Sequence, residues 1–338
     1  MKGLAKVAPG VGHVDIADRE ERAPGPGEVL LEVRGAGVCG TDLHIEAGEF
    51  PSRPPVTMGH EVSGVVAVAG EGVAPSWIGA RVVCETYYST CGVCEWCRAG
   101  RINLCPERRS IGSFVDGAFA RYVVVPAKNL HRCPDWLDEH AAVLVEPLAC
   151  VCHCLFDPPR VTVGDRVLVT GPGPVGLLAA QVARALGGDV LLVGLPQDEA
   201  RLEVARKLGI ATTHRPAKTG LDSASAGYDV VIECSGTASG AAVCLETAGR
   251  GARYVQVGVF GKDVCVPLDN VFRKELIMTS GSASTPRSWR RALALIEGRR
   301  VELEPLVSEV VPLREWQRVF SDLRQGKGIK VVFDPRLP

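Results

Sequence analysis

The stretch "DRVLVTGPGPVGLLAAQVARALGGDVLLVG" constrains the fold more than any other part of the chain. An apolar run, "DRVLVTG", leads straight into a Gly/Pro turn and then a long helical segment that stops at Gly187. A second apolar run, "DVLLVG", follows, and "DEARLEVARKLG" reads as a second helix closed by Gly209. "YDVVIECSG", "SGAAVCLETAGRG" and "ARYVQVGVFG" continue the alternation. Strand, turn and helix repeated at this spacing predict βαβ units and a parallel, doubly wound sheet. The turn places Gly171, Gly173 and Gly176 in a G-x-G-x-x-G pattern between strand and helix. The first glycine permits the tight turn, the second lets backbone approach a pyrophosphate, and the third allows close helix–strand packing. A dinucleotide site is expected here. Which dinucleotide stays open. An NAD site usually has an acid at the end of the second strand, where this chain has Gly194. That favours NADP, but Asp198 and Glu199 lie just beyond, and Arg201 reads equally as a phosphate ligand or an exposed helix residue.

Residues 25 to 130 have a different texture. "EVLLEVRGAGVCG", "EVSGVVAVAGEGV", "ARVVCE" and "FARYVVVPA" are short β-rich runs cut by Gly and Pro, which predict an antiparallel barrel or sandwich. A length of 338 residues suits two domains. The closing run "KGIKVVFDP" is strand-like and is a candidate to return to the first of them. A formal net charge of −1 gives no footprint for nucleic acid or a membrane surface. The N-terminus has no apolar signal region and no run is long enough to span a bilayer, so a cytoplasmic protein is expected. Thirteen cysteines in that reducing setting argue for metal ligation and buried thiols, not for disulfides.

Four of them form "CGVCEWCRAGRINLC", with Cys91, Cys94, Cys97 and Cys105 in C-x2-C-x2-C-x7-C spacing. Four thiolates close a tetrahedral zinc site and leave no position for substrate, so this lobe is expected to be structural. An iron–sulfur cluster or unligated thiols are the alternatives. Chemistry needs an open metal position. Cys39 in "GVCGTDLH", His60 and Glu61 in "GHE", and Glu146 in "VEPLA" offer the mixed sulfur, nitrogen and oxygen donors of a catalytic zinc. "CVCHCLF", with Cys150, Cys152, His153 and Cys154, reads as a core helix with small thiols.

Taken in order, "GVCGTDLH", "GHEVSGVV", the four-cysteine lobe, "DGAFARYVVVP", "VEPLA" and "GPGPVG" resemble a zinc-dependent medium-chain dehydrogenase of the alcohol/polyol type, in its sorbitol/threonine branch. The resemblance implies an α/β protein with two domains. A GroES-like β-rich catalytic domain would cover 1–149 and 286–338, with the zinc lobe at about 88–107. A Rossmann coenzyme domain would cover 150–285. It implies two zinc ions per chain. Cys39, His60 and Glu146, with Glu61 swapping in or lying behind the metal, would hold the catalytic one; the four cysteines would hold the other. It implies Thr41 as a relay hydroxyl and His44 as outer proton acceptor. Gly171, Gly173, Pro174, Val175, Gly176, Gly194, Arg201, Ser235, Val257 and Gly258 would face NAD or NADP. Phe50 and Phe114 would line the substrate cleft. The reaction implied is reversible oxidation of a secondary alcohol of a polyol, sugar or cyclitol to a ketone. An amino-alcohol such as threonine is the alternative, and a non-catalytic zinc protein of the same fold is a third reading. The protein would be a homodimer or homotetramer joined through the edge strand near "RKELIMTSGSAS", with a small-molecule substrate as its other partner.

Overall fold

A computed structural model describes residues 1–214 and 227–338 of the chain. It divides into two compact units, Met1–Glu146 with Val307–Pro338, and Pro147–Leu306. The helix Pro286–Glu297, which the sequence reading placed with the returning segment, lies in the second unit. The return begins only at strand Val307–Val311, because that is where the chain next has a sheet to join.

The first unit is built on a seven-stranded sheet around the strand Glu28–Gly37. Val29, Leu31 and Val33 are fully buried, while the residues between them are half-buried. That alternation is what one covered face of a pleated strand requires. Glu28–Gly37 pairs antiparallel with Glu61–Ala69, with Tyr122–Pro126 and with the closing strand Lys330–Phe333. Val307–Val311 then adds to the closing strand in parallel, so the sheet is mixed where antiparallel pairing was expected throughout. A separate three-stranded sheet holds the N-terminal strands Lys2–Lys6 and Val14–Asp18. Phe333 of the closing strand is fully buried and meets Phe119 edge-on, centroids 5.0 Å apart.

The second unit holds a six-stranded, all-parallel sheet among the described residues. Its order is Ala211–Thr213, Asp189–Val193, Arg166–Thr170, Tyr228–Glu233, Ala248–Gln256 and Ile277–Ser280. The central strand is apolar at three successive positions, Val167, Leu168 and Val169, all fully buried. This is the signature of a strand covered on both faces. From it the chain runs first to one side and then crosses to the other, so the strand order reverses at Arg166–Thr170. The crevice at the carboxyl end of such a strand is where ligands of open α/β sheets bind. Gly171 follows that strand directly. Among the described residues, no helix is long and apolar enough to cross a membrane.

The chain closes on a charged clasp in the first unit. Asp334 accepts from Arg336 Nε at 2.8 Å and faces His140 Nε2 at 3.1 Å. Burial would raise the Asp334 carboxyl, but Arg336 and His140 outweigh it and hold it at about 2. Folding therefore depresses this group. Its contribution to stability is complete above the ordinary value of 3.8 and is lost as pH falls towards about 2. Urea titrations of wild type and Asp334→Asn should differ at pH 6, and the difference should shrink steadily as the pH falls from 4 to 2.

Candidate active site

Cys39 sits immediately before the helix Gly40–Glu46, with extended backbone at its N-cap. Its own amide donates to Asp42 Oδ2 at 2.9 Å, three residues into the helix. This reciprocal cap turns the thiol inward and buries Asp42 completely. Thr41 Oγ1 lies 3.7 Å from Cys39 Sγ. His60 and Glu61 come from the turn into strand Glu61–Ala69. Donor atoms of Cys39, His60 and Glu61 all fall within 4.8 Å of one another. Glu146, in the first turn of the helix Val145–Phe156, is buried and outside that trio. It is near enough for its charge to act on His60 and on Lys330.

Lys330 and Asp42 were not legible as site residues. Lys330 Nζ donates to both Glu61 oxygens, at 2.8 and 2.6 Å, and to the Val38 carbonyl at 2.9 Å. Burial would lower this ammonium, but Glu61 and Cys39 outweigh it and raise its pKa. Asp42 Oδ1 lies 3.8 Å from His60 Nδ1, beyond hydrogen-bond reach, and acts on the imidazole through its charge. Burial pushes the Asp42 carboxyl up, His60 opposing it. For His60, burial would lower the pKa, but Cys39, Asp42 and Glu146 together raise it well above an ordinary imidazole. A thiol and three carboxyl groups, Cys39, Asp42, Glu61 and Glu146, thus gather around one imidazole and one ammonium, an environment a bound cation fits.

The four-cysteine lobe is compact. Cys91 Sγ lies 4.0 Å from Cys97 Sγ and 3.6 Å from Cys105 Sγ. A tetrahedron with Zn–S arms of about 2.3 Å has edges of about 3.8 Å, so these sulfurs fit zinc. Amides of Cys94 and Cys97 donate to Cys91 Sγ and Cys94 Sγ at 3.3 and 3.4 Å. The amide donors of Cys94 and Val93 bring the Cys91 thiol down to about 7. At Cys94 the Cys97 amide acts downwards, but desolvation and the neighbouring sulfurs push it up to about 11. Among the described residues, one other cluster with metal-type donors, Glu139, His140 and Asp334, is the clasp already held by Arg336. Cys152 and Cys154 are buried thiols pushed to about 12.

His44 Nδ1 lies 2.7 Å from Glu49 Oε2 at the surface. Phe50 and Phe114 are each 37% exposed in the same unit.

In the second unit, Gly171, Gly173, Gly194, Arg201 and Ser235 line one cavity of about 350 Å³. Gly171 has φ +85, and a Cβ on Gly176 would stand 1.8 Å from the Gly171 carbonyl oxygen. A Cβ on Gly173 would meet only open space, the side from which a pyrophosphate approaches the amides at the start of helix Pro174–Ala185. Pro174, Val175, Gly176, Val257 and Gly258 do not line the cavity. The first three belong to the helix, and the amides of the last two donate to the Glu233 carbonyl at 2.9 and 2.8 Å. Glu233, fully buried, is a further residue the sequence reading passed over. It accepts from the amides of Ser235 and Gly236 and from Gln256 Nε2, tying together the loops after two adjacent strands.

Two family descriptions match the chain: Alcohol dehydrogenase GroES-like domain over residues 25–135, and Zinc-binding dehydrogenase over residues 174–298. A sorbitol dehydrogenase from Halalkalibacterium halodurans is 37% identical over 342 residues, covering 99% of each chain. The chain belongs to the zinc-dependent medium-chain alcohol dehydrogenases. Within that family it is also 32% identical to an L-threonine 3-dehydrogenase from Shewanella woodyi, covering 99% of each. A zinc-binding dehydrogenase from Sinorhizobium meliloti, solved with NADP, matches this dehydrogenase fold with TM-score 0.89 at 33% identity, covering 99% of each chain. The GroES-like and Rossmann architecture, the oxidoreductase class and the zinc and NAD(P) requirement are those expected from the motifs. Asp42→Ala should lower zinc affinity at the Cys39 site by about 10- to 100-fold. Competition with a chelator measures this, with the lobe zinc as internal reference.

Proposed function

We propose that this dehydrogenase oxidises a secondary alcohol of a polyol, sugar or cyclitol to a ketone, and catalyses the reverse reduction. The observation that carries the reading is the half-buried Cys39–His60 donor set. It brings sulfur, nitrogen and carboxylate donors within 4.8 Å of one another, with only one sulfur and the Thr41 hydroxyl beside it. We assign Cys39, His60 and Glu146 to a catalytic zinc. Glu61 stands behind them, because reaching a metal would cost it two hydrogen bonds from Lys330. Zinc there supplies Lewis acidity that lowers the pKa of a substrate hydroxyl, and the nicotinamide supplies the hydride acceptor.

The protein's own groups manage the proton. Thr41 Oγ1 takes it within the half-buried site, and His44, held by Glu49 at the surface, passes it to solvent. Cys91, Cys94, Cys97 and Cys105 hold the structural zinc. Gly171 and Gly173 admit the pyrophosphate to the start of the helix, with Pro174 and Val175 as its first residues and Gly176 packing it against the strand. Ser235, Val257 and Gly258 belong to the two loops braced by Glu233. We keep Gly194 and Arg201 at the adenosine end.

The sorbitol dehydrogenase relative, at 37% identity against 32% for the threonine enzyme, supports a polyol over an amino-alcohol. Thirteen cysteines with no disulfide among them suit a reducing cytoplasm. The sheet edge Ile277–Ser280 exposes Ile277 and Met278, with Phe272 exposed nearby in sequence. A second copy extending that edge makes the homo-oligomer.

Elemental analysis should find about two zinc ions per chain in wild type and about one in Cys39→Ala, with polyol oxidation at background in the variant. An unchanged zinc content would end the assignment. Thr41→Val should keep both metals and lose about 10²- to 10⁴-fold in kcat for polyol oxidation.

A further inference from the structure

The cavity after the central strand discriminates at its adenosine end, provided it takes a dinucleotide as proposed above. An NAD site places a carboxylate at the tip of the second strand, where it accepts both ribose hydroxyls. In this chain the tip is Gly194, directly after strand Asp189–Val193. A Cβ there would stand 2.9 Å from Pro172 Cγ and 3.1 Å from a Leu202 methyl. The position lacks an acid, and any side chain there would have to displace Pro172 and Leu202.

Among the described residues that line the cavity, Asp198 is the one carboxylate. It already accepts the Leu195 amide at 2.9 Å and lies 3.5 Å from Arg201 Nη1. Its work is local: it caps the turn Pro196–Asp198 and steadies the guanidinium. Glu199 points elsewhere, to Arg206 and to His214 Nε2 at 2.9 Å. Arg201 lines the cavity from helix Glu199–Lys207, its side chain only 19% exposed. Partial burial strips water from this cation and lowers its pKa, Asp198 opposing. A desolvated guanidinium gains most from a multiply charged oxyanion, which its fork of donors can grip at two points.

We infer that the cavity selects NADP(H) over NAD(H), with Arg201 meeting the ribose 2′-phosphate and the crowded Gly194 position lacking the carboxylate that would repel it. The discrimination is built from one cation kept and one anion left out.

Isothermal titration of the purified zinc-loaded protein tests this without turnover. NADP⁺ should bind about 10- to 100-fold tighter than NAD⁺, and adenosine 2′,5′-bisphosphate tighter than 5′-AMP by a similar factor. Arg201→Gln should bring the NADP⁺/NAD⁺ affinity ratio close to one, and Arg201→Lys should retain part of it. Equal or tighter binding of NAD⁺ by wild type would overturn the inference and leave the dinucleotide reading standing. A ratio unchanged in Arg201→Gln would remove Arg201 from the role. If neither dinucleotide bound, the reading of the cavity itself would fall, and this inference with it.

Discussion

The Lys330–Glu61 ion pair is the constraint around which the first unit is arranged. Both side chains are all but fully buried, 3% and 1% exposed, and neither could be there alone. An unpaired charge in such a place costs several kcal/mol, and removing one partner of a buried pair typically costs about 3–5 kcal/mol. The pair fixes the closing strand to the residue that follows His60. It also bears on what stands opposite: a Cβ on Gly37 would be 2.1 Å from Glu61 Oε2, so a larger residue there would push the carboxylate off Lys330. Three remote parts of the chain are thereby brought to one point. There Asp42 and Glu146 add carboxyl groups that act on His60.

The second unit buries a carboxylate by a different means. Glu233 has no lysine. Amides of Ser235 and Gly236, the Ser235 hydroxyl and the Gln256 amide fill its oxygens. Neutral donors of this kind satisfy the oxygens of a buried carboxyl group by hydrogen bonding. They also make the acid a brace: two loops at the carboxyl edge of the sheet have their shape written by one side chain. Where the first unit cancels a charge, the second distributes it over hydrogen bonds.

These two acids show where sequence reasoning reaches and where it stops. The βαβ alternation was legible because its signals are local: apolar runs, and helices closed at Gly187 and Gly209, both with positive φ. The four-cysteine lobe was legible for the same reason, its ligands being close neighbours in the chain. Asp42 carried a faint signal, an acid three residues after the cap residue Cys39. Lys330 carried none, because a lysine in an apolar strand looks like an exposed residue of an edge, and its partner lies 269 positions away. Gly173 could be assigned from pattern, but that Gly194 is crowded by Pro172 and Leu202 depends on packing that pattern does not contain. The mixed sheet escaped for a similar reason, since the parallel pairing of Val307–Val311 with Lys330–Phe333 depends on where the chain re-enters the unit.

The distance along the chain between Glu61 and Lys330 also has a meaning in time. A ribosome adds on the order of 5–20 residues per second, so Glu61 leaves it tens of seconds before its counter-ion is made. Throughout that interval the strand Glu61–Ala69 can pair with Glu28–Gly37, but the carboxylate beside His60 has no ammonium to meet. The all-parallel sheet of the second unit is synthesised entirely within the same wait. The donor set around Cys39 therefore acquires its balancing charge only near the end of synthesis, even though most of its residues are among the first to be made.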